Sequence, residues 1–200
     1  MIQSESNVQI KELIKLQKNA RERKKKKLFV AEGMKLTKEA AFHGKLKKIY
    51  IAQDVYEHRE RELDDFLAKQ DYEVVDTKIF RQAAQTVTPQ GMLALVEVPE
   101  YSVDTLLCDP KRSFLLLDDL RDPGNLGTIM RTAEGAGMSG VILSRESVDL
   151  FNPKVVRATM GAIFRVPFYY ADDLIEVIER LKAMQIPVYG TMMQGSEVYD

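Results

Sequence analysis

Asparagine, glycine and arginine stand at a fixed spacing near the middle of the chain, as Asn125, Gly127 and Arg131. They follow the apolar run FLLL and a polar turn with Pro123 and Gly124, a pattern that predicts a strand, a turn and the start of a helix. In open α/β sheets, ligands bind at the carboxyl ends of strands. Because helical side chains tilt toward the N-terminus, the Arg131 guanidinium can reach back over this turn. A fixed cation there suits a phosphate or a ribose hydroxyl.

The same residues are also compatible with an ordinary turn followed by a solvated arginine, and spacing alone leaves both interpretations open. The segment is not a dinucleotide fingerprint, since Gly124 and Gly127 are three apart and no G-x-G-x-x-G is present. It is not a phosphate loop either, because no Gly-Lys-Ser/Thr follows.

The charge of the chain is unevenly distributed. Residues 1–50 contain 14 Lys and Arg against 5 Asp and Glu, whereas the remainder contains 15 against 25. The basic residues culminate in the run RERKKKK at 21–27, which either contacts RNA phosphates or forms a solvated helix end. A basic front on an acidic body predicts a polyanion contact at one end of the molecule.

Composition narrows the class of protein. Cys108 is the only cysteine, so no disulfide forms within the chain, and a cytoplasmic protein is expected. His43 and His58 are too few and too far apart for a zinc site with that cysteine, so we expect no metal. The N-terminus lacks a signal core, and no apolar run is long enough to span a membrane.

Strand and helix patterns alternate throughout, which predicts an α/β fold. We expect a small α/β sandwich domain at 1–98, a linker at 99–112 and a parallel-sheet domain at 113–200. In the first domain, helices are predicted at 8–27, 34–43 and 55–69, with strands at LFVAEG, LKKIYIA, YEVVD and MLALVEV. In the second, helices are predicted at 125–136, KVVRATMGAIF and ADDLIEVIERLKAMQ, with strands at SFLLLDD, GVILS, VPFYY and IPVYGT.

Several segments together resemble the SpoU (TrmH-like) family of RNA 2′-O-ribose methyltransferases. Its first motif, N-x-G-x-x-x-R, matches 125–131, and LLDDLRDPGN matches the preceding strand and loop. FNPKVVRATMGAIFRVPF at 151–168 resembles the next family segment, with Thr159 where serine is common. LFVAEGMKLTKEA and TPQGMLALVEV resemble the family's small substrate-binding domain, which is similar to certain ribosomal proteins.

The resemblance implies S-adenosylmethionine as methyl donor, a deep trefoil knot in the catalytic domain and a homodimer. It assigns activation of the ribose 2′-hydroxyl to Arg131, and positioning of the loop and contact with the reacting groups to Asn125. Thr191 would border the cofactor's adenosine, or is a simple turn residue. Arg157 would face RNA or a partner subunit, or forms a surface ion pair. The remaining expected RNA contacts are Arg21, Arg23, Lys24, Lys25, Lys26 and Lys27.

The family's later motifs, a G-N-E-x-x-G loop and a loop leading into S-L-N, are not found in these 200 residues. They form the knot and most of the cofactor pocket, so we expect either a protein that continues past Asp200 or a chain that does not hold the cofactor as its relatives do. The leading hypothesis is methylation of RNA, with ribosomal RNA favoured over transfer RNA. The alternatives are a non-catalytic RNA-binding protein with a degenerate methyltransferase domain, and an unrelated nucleotide-binding α/β enzyme.

Overall fold

The computed structural model describes residues 1–108 and 113–191. The strands of the first sheet are β1 (Leu28–Glu32), β2 (Leu46–Ala52), β3 (Tyr72–Val75) and β4 (Met92–Glu97). They lie in the order β1-β4-β2-β3, with β2 parallel to β3 and β4 antiparallel to both of its neighbours. The helices of this half are α1 (Val8–Lys18), α2 (Ala20–Lys26), α3 (Met34–Phe42), α4 (Gln53–Glu57), α5 (Arg61–Leu67) and α6 (Thr77–Ala83). The predicted alternation of strands and helices is confirmed here.

Two predicted helices of the first half are each divided into two. The helix expected at 8–27 breaks at Asn19, whose backbone is extended and whose side chain accepts a hydrogen bond from the Arg21 backbone N–H at 2.9 Å. Asparagine is among the best N-cap residues, and this preference overrides the continuing lysine pattern. The helix expected at 55–69 breaks between α4 and α5. There the Arg59 guanidinium lies over the Tyr56 ring at 3.9 Å and donates to the Tyr56 carbonyl.

The second half has a parallel sheet in which β6 is central. Its strands are β5 (Phe114–Leu117), β6 (Gly140–Ser144) and β7 (Phe168–Ala171). Its helices are α7 (Val103–Leu107), α8 (Pro123–Gly135), α9 (Pro153–Ala158) and α10 (Leu174–Ala183), with a 3₁₀ turn at Ala162–Phe164. Every residue of β6 is buried, as a central parallel strand requires. None of these helices, nor any other in the described ranges, is long and apolar enough to cross a membrane.

Helix α7 was not expected from the sequence. It lies inside the predicted linker at 99–112, of which 109–112 falls outside the described residues. Ser102 caps the helix by accepting from the Thr105 backbone N–H at 3.1 Å, and Leu106 and Leu107 are buried beneath it. The segment is irregular in sequence because only one turn of helix forms, so no hydrophobic period can be seen.

The strand expected at IPVYGT is absent from the described residues. Beyond the Ile186 N–H, which donates to the Leu181 carbonyl at the end of α10, residues 187–191 make no backbone hydrogen bond within the described chain. Tyr189 is 88% exposed. An apolar run becomes a strand only when a neighbouring strand pairs with it, and no described strand lies beside this one.

The two halves share one hydrophobic core. Phe29 on β1 packs against Phe151, with ring centroids 4.9 Å apart, and against Phe164 at 6.2 Å. Val155 on α9 is fully buried in the same cluster. This shared core fixes the orientation of the second sheet and its helices relative to the first half.

Helices α8 and α9 approach each other closely at Gly127. A methyl group built at Gly127 would lie 2.3 Å from the Ala158 Cβ and 3.0 Å from the Ala158 carbonyl carbon. Gly127 therefore allows the backbone of α9 to lie close to α8. Gly135 on the same helix has no such neighbour within 4 Å.

These two glycines provide a matched test of the packing. We expect Gly127→Ala to lower the free energy of unfolding by about 1–3 kcal/mol, because the backbone of α9 must move. Gly135→Ala should raise it by about 0.5–1 kcal/mol, since alanine is the better helix former. Urea unfolding followed by circular dichroism measures both. Equal changes for the two variants would contradict the close packing of α8 on α9.

Candidate functional site

The loop after β5 is hydrogen-bonded to the end of β6 and to the loop that follows β6. The backbone N–H groups of Asp119 and Leu120 donate to the hydroxyls of Ser144 at 2.8 Å and Ser147 at 3.1 Å. Both serines are buried, and the Val148 N–H returns a bond to the Leu120 carbonyl at 2.8 Å. Sequence reasoning missed these serines, one of which ends the predicted strand GVILS while the other lies three residues further along the chain. The loop that leads into α8 is thus held in one conformation.

Asp119 has the unusual backbone conformation of this loop, with φ of 44°. The Arg121 guanidinium donates to both oxygens of its carboxylate, at 2.9 and 2.7 Å. This hydrogen bonding lowers the pKa of the Asp119 carboxyl below its ordinary value. The Arg121 side chain therefore forms an ion pair with the Asp119 carboxylate.

Helix α8 begins two residues earlier than the sequence suggested. Asp122 is its N-cap and accepts from the Asn125 backbone N–H at 2.7 Å, and Pro123 occupies the first helical position. Asp at the cap and Pro at the first position are both preferred there. The Asn125 side chain is exposed and makes no hydrogen bond to any described residue.

Arg131 lies two turns into α8 and is also exposed. Its guanidinium forms no ion pair or hydrogen bond within residues 1–108 and 113–191. Leu126, Gly127 and Met130 form the buried face of the helix, so Arg131 lies on the solvent side of it. The structure thus leaves both predicted catalytic residues, Asn125 and Arg131, free to meet a substrate.

The second family-like segment packs beneath α8. Asn152 caps α9 by accepting from the Lys154 N–H at 2.9 Å. Thr159 is fully buried, and its hydroxyl donates to the Val156 carbonyl at 2.7 Å. Arg165 then bridges to Glu134 on α8 and Glu39 on α3, and its hydrogen bond lowers the pKa of the Glu134 carboxyl. This segment therefore connects the two halves.

Arg157 is half-buried on α9. The surface ion pair considered for it does not form with any described residue, and its buried Nη1 atom has no hydrogen-bond partner there. The contact to RNA or to a partner subunit is left as a prediction.

The basic run at 21–27 divides into residues with different environments. Arg23 is buried, and the structure contradicts its expected role as an RNA contact. Its Nε and Nη2 donate to Asp149 Oδ2 at 2.8 and 2.6 Å, and its Nη1 donates to the carbonyls of Leu16 and Gln17. A uniform run of charges does not reveal which member faces inward.

The other basic residues of the run are exposed. Lys26 pairs with Glu12, whose hydrogen bond raises the lysine pKa, and Lys27 pairs with Glu100 at 2.7 Å. The remaining three have no ion pair among the described residues: Arg21, Lys24 and Lys25. These cations are accessible to a polyanion.

Thr191 is exposed at the end of the described residues, beyond α10. The strand that was expected to position it does not form within the described residues, and its contact with a cofactor stays a prediction. Asn125 lies in the first turn of α8, directly after the loop that follows β5, and Arg131 lies further along the same helix, whereas Thr191 belongs to no described helix or strand.

The chain thus has two α/β halves, and exposed polar side chains follow the first strand of the parallel sheet in the second half. Two family models match it: an MRM3-like substrate binding domain over residues 7–94 and the SpoU rRNA Methylase family over residues 112–200.

Named relatives agree with these matches. The chain is 34% identical over 200 residues to the 23S rRNA (guanosine(2553)-2′-O)-methyltransferase RlmP of Bacillus subtilis, covering 99% of this chain and 75% of that protein. It is 35% identical to human mitochondrial rRNA methyltransferase 3, covering 72% of this chain and 35% of that protein. The structure superposes on an S-adenosylmethionine-bound rRNA methyltransferase from Sinorhizobium meliloti with a TM-score of 0.72 and 30% identity, covering 89% of this chain and 67% of that one.

The chain belongs to the SpoU rRNA methylase family. This confirms the predicted family and fold class. It also supports RNA methyltransferase function, with S-adenosylmethionine as the methyl donor that the family uses. The cofactor's other contacts are expected from the G-N-E and S-L-N motifs, which these 200 residues do not contain.

Proposed function

We propose that this chain forms the RNA-binding domain and the methyl-acceptor side of an S-adenosylmethionine-dependent methyltransferase that modifies a ribose 2′-hydroxyl of ribosomal RNA. The observation that carries the proposal is Arg131, which is exposed, has no partner among the described residues and lies on a helix whose preceding loop is hydrogen-bonded to Ser144 and Ser147. The relative RlmP is named as a 2′-O-methyltransferase of 23S rRNA, which supports both the ribose target and the class of RNA.

Arg131 acts on the ribose hydroxyl through its charge. A guanidinium remains protonated at all physiological pH values, so it cannot itself accept the hydroxyl proton. Placed beside the 2′-oxygen, it favours the alkoxide and lowers the barrier to proton loss, and an adjacent RNA phosphate is an available acceptor. S-adenosylmethionine, when bound, supplies an electrophilic methyl group.

Asn125 positions the acceptor. Its amide has both a donor and an acceptor, so it can hold a ribose hydroxyl in a single orientation at the start of α8. The loop before α8 is held by hydrogen bonds, so less conformational freedom is lost when the ribose binds. Holding a weak nucleophile in a reactive orientation is the main contribution that a positioning residue makes.

The finer assignments extend from the family resemblance. We propose RNA contacts from Arg21, Lys24, Lys25, Lys26, Lys27 and Arg157, a cofactor contact from Thr191, a homodimer formed through the catalytic domain, and a trefoil knot in the protein that carries the later motifs. Domain limits of 1–98 and 113–200, with a linker between them, agree with the ranges of the two family matches. A cytoplasmic location is supported by the free, exposed Cys108.

Transfer of label tests the proposal against the RNA-binding alternative. The protein expressed from its complete gene is incubated with tritiated S-adenosylmethionine and either ribosomal RNA or transfer RNA. We expect label in ribosomal RNA. Firm RNA binding without transfer to either RNA would favour the non-catalytic alternative, and transfer to transfer RNA alone would contradict the substrate class.

A further inference from the structure

A groove of about 1070 Å³ opens at the junction of the two halves. It is bounded by α2, the segment at 98–105, the edge strand β7 and the loop after β6. Its lining includes basic, aromatic and hydroxyl side chains: Lys24, Lys27, Tyr101, Arg145, Ser147 and Tyr169. Aromatic rings and cations thus line the same open surface.

Two tyrosines supply the aromatic part. Tyr101 and Tyr169 are each half-buried, and neither hydroxyl has a hydrogen-bond partner among the described residues. Tyr101 packs edge-on against Phe168 at 5.3 Å. By contrast, the Tyr170 hydroxyl is used internally, accepting from the Leu150 N–H and donating to the Val148 carbonyl, both at 2.8 Å. Tyr101 and Tyr169 therefore keep unused polar groups at the groove, as expected of residues that meet a ligand.

The cations of the groove are available to phosphate. Lys24 is exposed and has no ion pair with a described residue. Lys27 pairs with Glu100, and both side chains are more than 60% exposed. Arg145 pairs with Asp172, and both are likewise exposed. Because exposed pairs contribute little stability, a phosphate can replace either carboxylate at small cost.

Two acidic residues line the groove, and each forms an ion pair with a basic residue. Asp149 is paired with buried Arg23, and Glu100 with Lys27. The lining contains four basic residues against these two acidic ones, and this excess of positive charge favours a polyanion.

The groove adjoins the loop at 118–122 that leads into α8, which we call the candidate catalytic loop. Ser147 lines it and also accepts the hydrogen bond from the Leu120 N–H in the loop that leads into α8. Arg145 follows directly on Ser144, which fastens Asp119 in the same loop. A ligand in the groove thus contacts the scaffold that holds Asn125 and Arg131.

We propose that a single-stranded segment of the RNA substrate lies in this groove, with bases stacked on Tyr101 and Tyr169 and phosphates held by Lys24, Lys27 and Arg145. Stacking platforms combined with a cationic track are the usual means of binding single-stranded nucleic acid. The inference rests on the proposed function, and it assigns to the domain junction the path along which RNA reaches the catalytic loop.

Salt-dependent binding tests the groove. Fluorescence anisotropy of the 200-residue chain with a short, fluorescein-labelled oligouridylate is measured from about 50 to about 200 mM salt. The double variant Lys24→Ala/Arg145→Gln should weaken binding about tenfold or more. Its salt slope should decrease by about 0.7 for each phosphate that the variant no longer neutralises. Lys78→Ala removes an equally exposed lysine on α6, away from the groove, and should retain the wild-type slope.

The outcomes separate the two proposals. A wild-type chain that binds the oligouridylate, with a double variant indistinguishable from it, would overturn the groove assignment and leave the proposed function standing. A wild-type chain that binds no RNA would contradict the RNA partner of the proposed function itself.

Crosslinking gives a reading that does not depend on variants. An oligonucleotide carrying 4-thiouridine should crosslink to peptides containing 98–105 and 168–170. Crosslinks confined to α3 and the loop at 85–90, where Phe42 and Val87 are exposed, would instead place the RNA on another surface and overturn the inference.

Discussion

Replacing Arg131 by alanine should lower the rate of methyl transfer by about a hundredfold or more while leaving RNA affinity nearly unchanged. The guanidinium is exposed and has no partner in the described chain, so the substitution breaks no hydrogen bond or ion pair of the described fold. Only the stabilisation of the developing charge on the 2′-oxygen is removed. Single-turnover transfer to ribosomal RNA, by the protein expressed from its complete gene, measures the effect.

The control for Arg131→Ala is Arg81→Ala. Arg81 is likewise exposed, lies on α6 and forms no ion pair with a described residue, so this variant removes the same charge far from the catalytic loop. It should retain wild-type transfer. Thermal unfolding of both variants should match the wild type. Unchanged transfer by the Arg131 variant would contradict the role assigned to this residue.

Arg23→Ala should lower the free energy of unfolding by about 3 kcal/mol. The side chain is buried, and its removal leaves Asp149 without a counterion and the carbonyls of Leu16 and Gln17 without a donor. Asp149 keeps 29% exposure, so water replaces part of the interaction and the effect lies at the lower end for a buried pair. For a chain of this size the midpoint temperature should fall by about 6–12 °C.

A double-mutant cycle isolates the pair. Lys25→Ala, an exposed neighbour on α2, should change stability by less than about 0.5 kcal/mol. Asp149→Ala combined with Arg23→Ala should destabilise by less than the sum of the single variants, since either one already breaks the pair. Strict additivity would show that Arg23 contributes through packing alone, and the ion pair between the halves would then have no energetic role.

The order of elements follows from local patterns in the sequence. Apolar runs such as GVILS predict buried strands, and Asn152-Pro153 predicts a helix start, because each depends on residues that are neighbours in the chain. Division of the helix at Asn19 was less visible, since a capping residue within a lysine-rich run competes with helix propensity.

The site was predictable in part. Asn125 and Arg131 could be singled out because a motif holds their spacing, although only the structure shows that both lack internal partners among the described residues. Ser144 and Ser147 act across 25 and 27 residues of chain, so no local pattern indicates which loop they fasten. Arg23 was misassigned for the same reason, because its partner Asp149 is 126 residues away.

Analysis of the methylated product tests the central claim most directly. Ribosomal RNA is labelled with tritiated S-adenosylmethionine by the protein expressed from its complete gene and is then hydrolysed with alkali. Alkaline cleavage requires a free 2′-hydroxyl, so a ribose-methylated nucleotide remains joined to its neighbour. We expect tritium in alkali-stable dinucleotides. Tritium released in mononucleotides would show methylation of a base and would contradict the ribose chemistry assigned to Arg131 and Asn125.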